Sequence, residues 1–259
     1  MYIVLSPAKT LIEPPAVAEL PATEPLMLEQ TRVLMQTTRK LSVKKLKELM
    51  GITDSLATLN RDRFQAFSEP FDAENARQAL LSFNGQVYWG VDAKTLSAED
   101  LAFAQEHVGI LSGLYGLLRP LDLMQPYRLE MGSKVRTRRG ADLYTFWGDR
   151  VAKAVNELAN GGTVVNLASN EYFKAANNKA LQGPVITPVF KDVKEGKSRT
   201  LAFFAKQARG AMTRWAILNR VTDVEQLKRC DINDYRYSEA ESTDAKWVYS
   251  RPQPPPVGT

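Results

Sequence analysis

The chain has 259 residues, 24% charged and 44% hydrophobic, and its 34 basic and 29 acidic side chains give a net charge of +5. That length suits one large domain or two small ones, and it buries enough apolar surface to fold without staples. Wholesale disorder, collagen and coiled coil are excluded by composition, and no run reaches the roughly 18 apolar residues of a membrane-crossing helix. The start, Met1 to Lys9, lacks the basic n-region of a signal peptide. There is one cysteine, Cys230, and one histidine, His107. One cysteine forbids an internal disulfide and fits a reducing cytoplasm. The two residues together cannot build a zinc finger, an HExxH site or a two-cysteine redox pair. No metal and no cofactor are expected.

Tyr2–Leu5 reads as a buried strand ended by Ser6-Pro7. Pro14, Pro15, Pro21 and Pro25 make residues 13–25 an extended connector. Helices are predicted at 26–40, at 43–50 with Ser42 as cap, and at 54–66 with Thr53 or Asp54 as cap. A short helix is predicted over 75–82, and 86–89 reads as a strand. Ser97-Ala-Glu-Asp100 is a capping box for a helix at 98–107. A strand over 108–111 leads into a Gly-punctuated loop. Helical spacing of Leu143, Trp147, Val151, Ala154, Val155 and Leu158 predicts one helix over 141–159. A strand follows at 163–168. Residues 185–190 and 199–204 flank Lys194-Glu-Gly-Lys197 as a hairpin. A basic helix is predicted at 205–219. Thr222-Asp-Val-Glu225 caps one more helix, and 235–249 forms one or two edge strands.

The alternation implies an α+β (mixed α/β) fold: a single domain over 1–250, with a mixed β-sheet surrounded by helices and a helical excursion at about 26–66. Residues 251–259 are a Pro-rich, flexible tail.

Several segments could carry chemistry. Leu111–Gly132 follows a strand and holds Tyr115, Arg119, Asp122, Tyr127, Arg128 and Glu130. Such loops carry sites in α/β proteins, the ordinary alternative being a well-packed structural loop. Val164–Lys174 delivers Asn166, Ser169, Glu171, Tyr172 and Lys174 from a strand end, where they could line a cleft, cap a helix, or both. Ser6-Pro-Ala-Lys9 has the serine-lysine spacing of penicillin-binding enzymes. The partner motifs are missing and the spacing recurs at Ser42–Lys45, so Lys9 is expected to anchor an anion. Gly196-Lys197-Ser198 lacks the leading glycine of a phosphate loop, because residue 191 is lysine.

Basic residues cluster three times: at 32–47, at 134–139 and at 194–220. A solvated face is the usual reason for such runs. Three of them in one chain also suit a polyanion. Between two predicted helices, Gly51, Ile52 and Ala57 match the helix-hairpin-helix pattern of Gly, hydrophobic, Gly, three residues, Ala. Thr53 stands where the second glycine would be, and its Cβ would hinder close approach of a phosphate. Lys40, Lys44, Lys45, Lys47, Gly51 and Thr53 are the candidate DNA contacts, and they would read backbone and not sequence.

As a set, Ser6–Leu11, Leu111–Gly132, Leu143-Tyr-Thr-Phe-Trp-Gly-Asp149, Val165–Ser169, Glu171–Lys174 and Phe204-Ala-Lys-Gln-Ala-Arg-Gly210 resemble the peroxide stress resistance protein YaaA family. The resemblance runs from Met1 to about Tyr249. It implies a cytoplasmic bacterial protein that helps cells survive hydrogen peroxide, linked to lowering free iron and so limiting oxidative DNA damage. It also implies an unusual single-domain mixed fold with a helix-hairpin-helix element and a basic cleft that binds DNA. The cleft candidates are Lys9, Arg119, Arg128, Lys206 and Arg209, joined by Ser6, Tyr127, Asn166, Ser169 and Tyr172.

Two functions follow. One is a DNA-binding stress protein, expected to be a monomer and largely indifferent to sequence, whose peroxide protection is indirect because paired thiols and a His-rich iron site are missing. The other is an enzyme acting on a small anionic substrate or a nucleobase near Lys9, Arg119, Arg128, Glu130 and Glu171. There Glu130, Glu171 or Tyr115 would be the catalytic candidate. No recognised catalytic motif decides for the enzyme.

Overall fold

The computed structural model describes residues 1–12 and 21–254. In chain order the elements begin with β1 (Tyr2–Leu5), β2 (Thr10–Leu11), α1 (Leu28–Thr38), α2 (Val43–Met50), α3 (Asp54–Ala66), β3 (Arg77–Gln78), α4 (Ala79–Ser82), β4 (Phe83–Asn84) and α5 (Gln86–Val91). Next come α6 (Ala98–His107), β5 (Val108–Ser112), β6 (Gly116–Leu118), β7 (Leu123–Met124), α7 (Leu143–Trp147), α8 (Arg150–Ala159), β8 (Val164–Asn166) and α9 (Asn170–Phe173). The last are β9 (Val185–Lys194), β10 (Lys197–Arg199), α10 (Ala202–Leu218), β11 (Arg236–Ser238) and β12 (Lys246–Pro252). Most of residues 13–25, the connector read from the prolines, lies outside the described residues, as does the end of the tail.

One mixed sheet of eight strands runs in the order β11-β12-β9-β8-β1-β5-β6, with β10 folded back on β9. The central strands β12, β9, β8, β1 and β5 are parallel, and β6, β10 and β11 pair antiparallel. A parallel strand covered on both faces must be apolar throughout. Tyr2–Leu5 meets that demand, since all four residues are buried in mid-sheet. Register then sets the site. Val4 pairs with Gly109 on one side and with Asn166 on the other, so β1, β5 and β8 end at one level. Ser6 and Leu167 leave the sheet at that shared C-terminal edge, where Ser112 ends β5 and where open α/β sheets bind ligands.

The mixed-sheet single domain expected from the alternation is present. Among the described residues, no helix is long and apolar enough to cross a membrane. The helices at 43–50 and 54–66 and the capping box at Ser97 form as expected; the box is complete, with Ser97 and Asp100 each accepting the other's backbone N–H.

Other expectations need correction. Residues 86–89 are helical, within α5, because Val87, Tyr88 and Val91 bury one face against α10. The helix expected over 141–159 is two helices, broken at Gly148, whose φ is +51°. The second hairpin strand stops at Arg199, and α10 starts at Ala202, so 202–204, half of that span, is helix. Asp223, not Thr222, caps the turn over 224–229, which is a 3-10 helix. β12 is internal to the sheet and runs to Pro252, so the tail's first residues are strand. Arg251 in that strand pairs with fully buried Asp192 at 2.7 Å and lies over the Tyr235 ring.

Candidate functional site

Two places gather the residues singled out above. The first is the turn between α2 and α3. Ser42 Oγ accepts the Lys45 N–H, and Thr53 Oγ1 accepts the Leu56 N–H, so both helices start on side-chain caps. Gly51 ends α2 in the left-handed region at φ +59°, which a side chain would strain. Leu46, Ile52 and Ala57 are buried beneath, so the turn is anchored to the core. Lys40, Lys44, Lys45 and Lys47 are all exposed. Lys47 reaches Asp54 at 2.8 Å and Lys45 reaches Glu48 at 3.5 Å. Lys40 and Lys44 have no carboxylate partner among the described residues. Thr53 is thus an N-cap, which accounts for a hydroxyl residue at that position.

The second place is a narrow cleft at the C-terminal edge of β1. Pro7, Ala8, Lys9, Tyr127, Arg128, Leu129, Glu130 and Tyr172 line it, around a space of about 10 Å³, room for roughly one water. Glu130 Oε1 is 3.1 Å from Arg128 Nε and 3.6 Å from Lys9 Nζ. Arg128 and Glu130 are each only 15% exposed, whereas Lys9 is 69% exposed at the mouth.

Behind the lining, the strand ends are stitched together. Ser6 Oγ accepts the Ser169 N–H at 2.8 Å and donates to Ser169 Oγ. Asn166 Oδ1 accepts the Ala168 N–H, and its amide donates to Thr187. Asn166 and Ser169 therefore hold the cleft's floor, and their polar atoms are committed to it. Tyr127 and Ser112 share a 2.6 Å hydroxyl contact, and Ser112 Oγ accepts the Tyr115 N–H. Burial pushes the Tyr115, Tyr127 and Tyr172 phenols well above their ordinary value, so all three stay protonated at neutral pH. Tyr115 also exchanges hydrogen bonds with the Gln125 backbone and is a fully buried post.

Other candidates do not join this cleft. Arg119 grips Asp122 through two nitrogens and donates to the Glu24 carbonyl, and Thr23 donates to the same carboxylate. That cluster clamps the segment before α1 onto the sheet. Its fully buried Asp122 is pushed up by desolvation, which the Arg119 hydrogen bonds oppose. Glu171 Oε1 accepts the Gly132 N–H at 2.9 Å and fixes the end of the Leu111–Gly132 loop. Lys206 and Arg209 stand on α10, outside the lining. A second opening of about 240 Å³ lies beside Arg63, Asn75 and Arg77 and holds none of these candidates.

Sequence reasoning passed over Tyr88 and the bonding role of Ser112. Tyr88 donates to the Ser6 carbonyl at 2.9 Å, so α5 braces the cleft. A strand reading of 86–89 hid it. Cys230 is buried, and burial pushes its thiol up to about 12. Such a thiol is protonated and inert. The His107 ring lies against Phe103, with Nδ1 3.3 Å from the Met1 carbonyl.

Comparison with known proteins agrees with this picture. The family described as peroxide stress protein YaaA matches residues 1–241. A UPF0246 protein of Maricaulis maris is 52% identical over 261 residues, covering 100% of this chain and 98% of the relative. One from Alteromonas mediterranea is 51% identical, covering 98% and 99%, and one from Neisseria gonorrhoeae is 48% identical, covering 97% and 98%. Full-length identity at that level, with the family match over nearly the whole chain, means that this chain belongs to the peroxide stress protein YaaA family.

Proposed function

We propose that this chain acts in peroxide stress by binding DNA, largely without sequence preference, through the α2–α3 helix-hairpin-helix and its lysines. The observation that carries the reading is the turn itself. Two capped helices meet at Gly51, and four lysines stand exposed around the meeting point. Exposed lysines exchange their counterions freely, so each phosphate contact releases salt ions. Nothing in that arrangement reads a base edge. The protein works as a cytoplasmic monomer. Protection is indirect, by limiting iron-driven damage to DNA, because the buried, protonated Cys230 is no peroxide-reducing thiol. Purified protein that consumed peroxide over many turnovers would refute that part.

The alternative enzyme reading loses two of its parts. Arg119 is committed to Asp122 and Glu171 to Gly132. A two-arginine clamp on an anion is therefore not assembled.

The test of DNA binding is fluorescence anisotropy on labelled duplexes of unrelated sequence. Four phosphate contacts predict a log–log salt slope of about −3.6, so raising salt from about 50 to about 200 mM weakens binding roughly 100-fold. Reversing Lys44, Lys45 and Lys47 to Glu flattens the slope and lowers affinity on every duplex. Binding that ignores both changes removes the hairpin from the interface.

A further inference from the structure

Trp89 on α5 and Phe203 on α10 are large apolar side chains left in water, 53% and 44% exposed. A single exposed ring is ordinary. These two stand together, with ring centroids 6.4 Å apart and planes at 63°. The helix crossing puts them there. Gly90 and Gly210 let α5 and α10 touch backbone to backbone, since an added Cβ would lie 2.3 Å from the Gln207 carbonyl oxygen or 1.8 Å from that of Val87. Trp89 is also held at its edge, where Nε1–H donates to Asn84 Oδ1 at 2.7 Å. Its one polar atom is satisfied within the protein, so what the indole offers to solvent is apolar ring.

The surroundings are basic. No acidic residue lies between Glu195 and Asp223, the stretch that carries Phe203. Lys206 follows Phe203 by one turn of α10 and is exposed, and Arg209 comes one turn later, half-buried. Neither has a carboxylate partner among the described residues. On the other side, β2 pairs Thr10 with Asn84, and an added Cβ at Gly85 would meet the Ala8 Cβ at 3.3 Å. Lys9, between Ala8 and Thr10, thus borders the segment that holds the indole, and it is 69% exposed. Its contact with Glu130, at 3.6 Å, is shared with Arg128. Asp92, three residues past Trp89, is half-buried and accepts a hydrogen bond from Thr95.

We propose that this surface binds single-stranded DNA, with a base stacked on each of the two rings and with Lys9 and Lys206 on the flanking phosphates. Bases offer flat faces and the strand brings negative charge, the pair of features that aromatic rings among basic side chains select without reading sequence. A duplex keeps its bases stacked on one another and presents no face to Trp89. The 63° between the rings suits a strand that bends, with its bases splayed. A second copy of this chain fits less well, because a two-fold contact through these rings would bring like-charged patches face to face. The inference rests on DNA as the partner and extends that reading to unpaired strands, and it uses none of the hairpin's lysines.

Fluorescence anisotropy of the full chain with a labelled oligo-dT of about 12 nucleotides, and with an abasic chain of the same length, tests the assignment. The oligo-dT is expected to bind saturably and the abasic chain about tenfold or more weakly, because only the bases differ. Trp89→Ala and Phe203→Ala each weaken oligo-dT binding about tenfold and leave duplex binding unchanged. Both alter exposed side chains, and the abasic probe on the unaltered chain decides the matter even if a variant does not fold. Trp89→Phe keeps a ring to stack on and recovers most of the affinity. Lys206→Ala flattens the log–log salt slope by about 0.7. Equal affinity for the two probes, or for oligo-dT before and after Trp89→Ala, overturns the proposal. So does a dimer in sedimentation that Trp89→Ala dissolves, which assigns the rings to a second copy. Oligo-dT binding that depends on Trp89, with duplex binding that ignores reversal of Lys44, Lys45 and Lys47, removes the hairpin reading and leaves this one standing. Duplex binding that needs those lysines, with no oligo-dT binding up to about 100 μM, removes this one alone.

Discussion

Lys44 and Lys45 stand on an exposed helix within one short stretch of chain, whereas Arg128 and Glu130 face each other at 3.1 Å in a half-buried slot built from distant segments. The first region carries charge that salt can screen. The second carries charge already paired and partly dry. A surface pair is worth little, so the hairpin can trade its internal ion pairs for phosphates at low cost. The cleft cannot give up a partner without leaving a neighbour exposed to desolvation. The same residue types thus stand as exposed, screenable charge in one place and as a paired, partly dry network in the other.

Alkali should separate the regions most. Burial raises the pKa of Tyr88, Tyr115, Tyr127 and Tyr172 above the ordinary value, and the hairpin has no such group. A raised value means that the stability is fully present below the unfolded value of about 10, and is lost as pH rises from there through the folded value. Each tyrosine contributes up to about 1.4 kcal/mol per pH unit in that window. Urea unfolding at about pH 9 and about pH 11 should differ by several kcal/mol. Equal midpoints would mean that the cleft tyrosines are not dry.

Next in size is Gly210→Ala, on the crossing that holds α5 and so Tyr88 beside the cleft. An added Cβ would lie 1.8 Å from the Val87 carbonyl oxygen. Forcing the helices apart should cost about 3 kcal/mol by chemical denaturation. A loss below about 1 kcal/mol would show that the crossing adapts.

Glu130→Ala strips Arg128 of its carboxylate, and the expected loss is about 2 kcal/mol at neutral pH. Arg128→Met in the same background should recover most of it, because no buried charge then remains unpaired.

The smallest effect is in the hairpin. Gly51→Ala meets no atom within 4 Å, so only its φ of +59° resists. Stability should fall by about 1 kcal/mol. DNA affinity should fall further than that stability loss explains, if the turn's geometry and not its mere presence is what binds. An unchanged anisotropy curve would restrict the interface to the lysine side chains.

Which features could be read in advance follows from the same contrast. The helices at 43–50 and 54–66 are specified within a few residues, by Ser42 and Thr53 at their starts and Gly51 between them. Local signals of that kind need no knowledge of the rest of the chain. The strand expected over 86–89 is helix because Val87, Tyr88 and Val91 show their helical face only once α10 lies against them. Arg119 failed as a cleft residue because its partner is the buried Asp122, and nothing in the spacing of charges says which loop carboxylate an arginine will meet. Glu171 has the chemistry of a proton-transfer group, and the Gly132 N–H beside it in space sets its use.

The amino-acid sequence by itself determined the mixed sheet, the capped helix pair, the single cysteine and single histidine that leave neither residue a partner of its own kind, and the family. Each rests on short-range patterning, composition or ordered blocks of residues. Only the tertiary structure decided that Lys9, Arg128, Glu130, Tyr127 and Tyr172 share one slot while Arg119, Lys206 and Arg209 stand apart. The reason is register. Pairing Val4 with both Gly109 and Asn166 brings segments more than a hundred residues apart to one edge, and that pairing is a property of the assembled sheet.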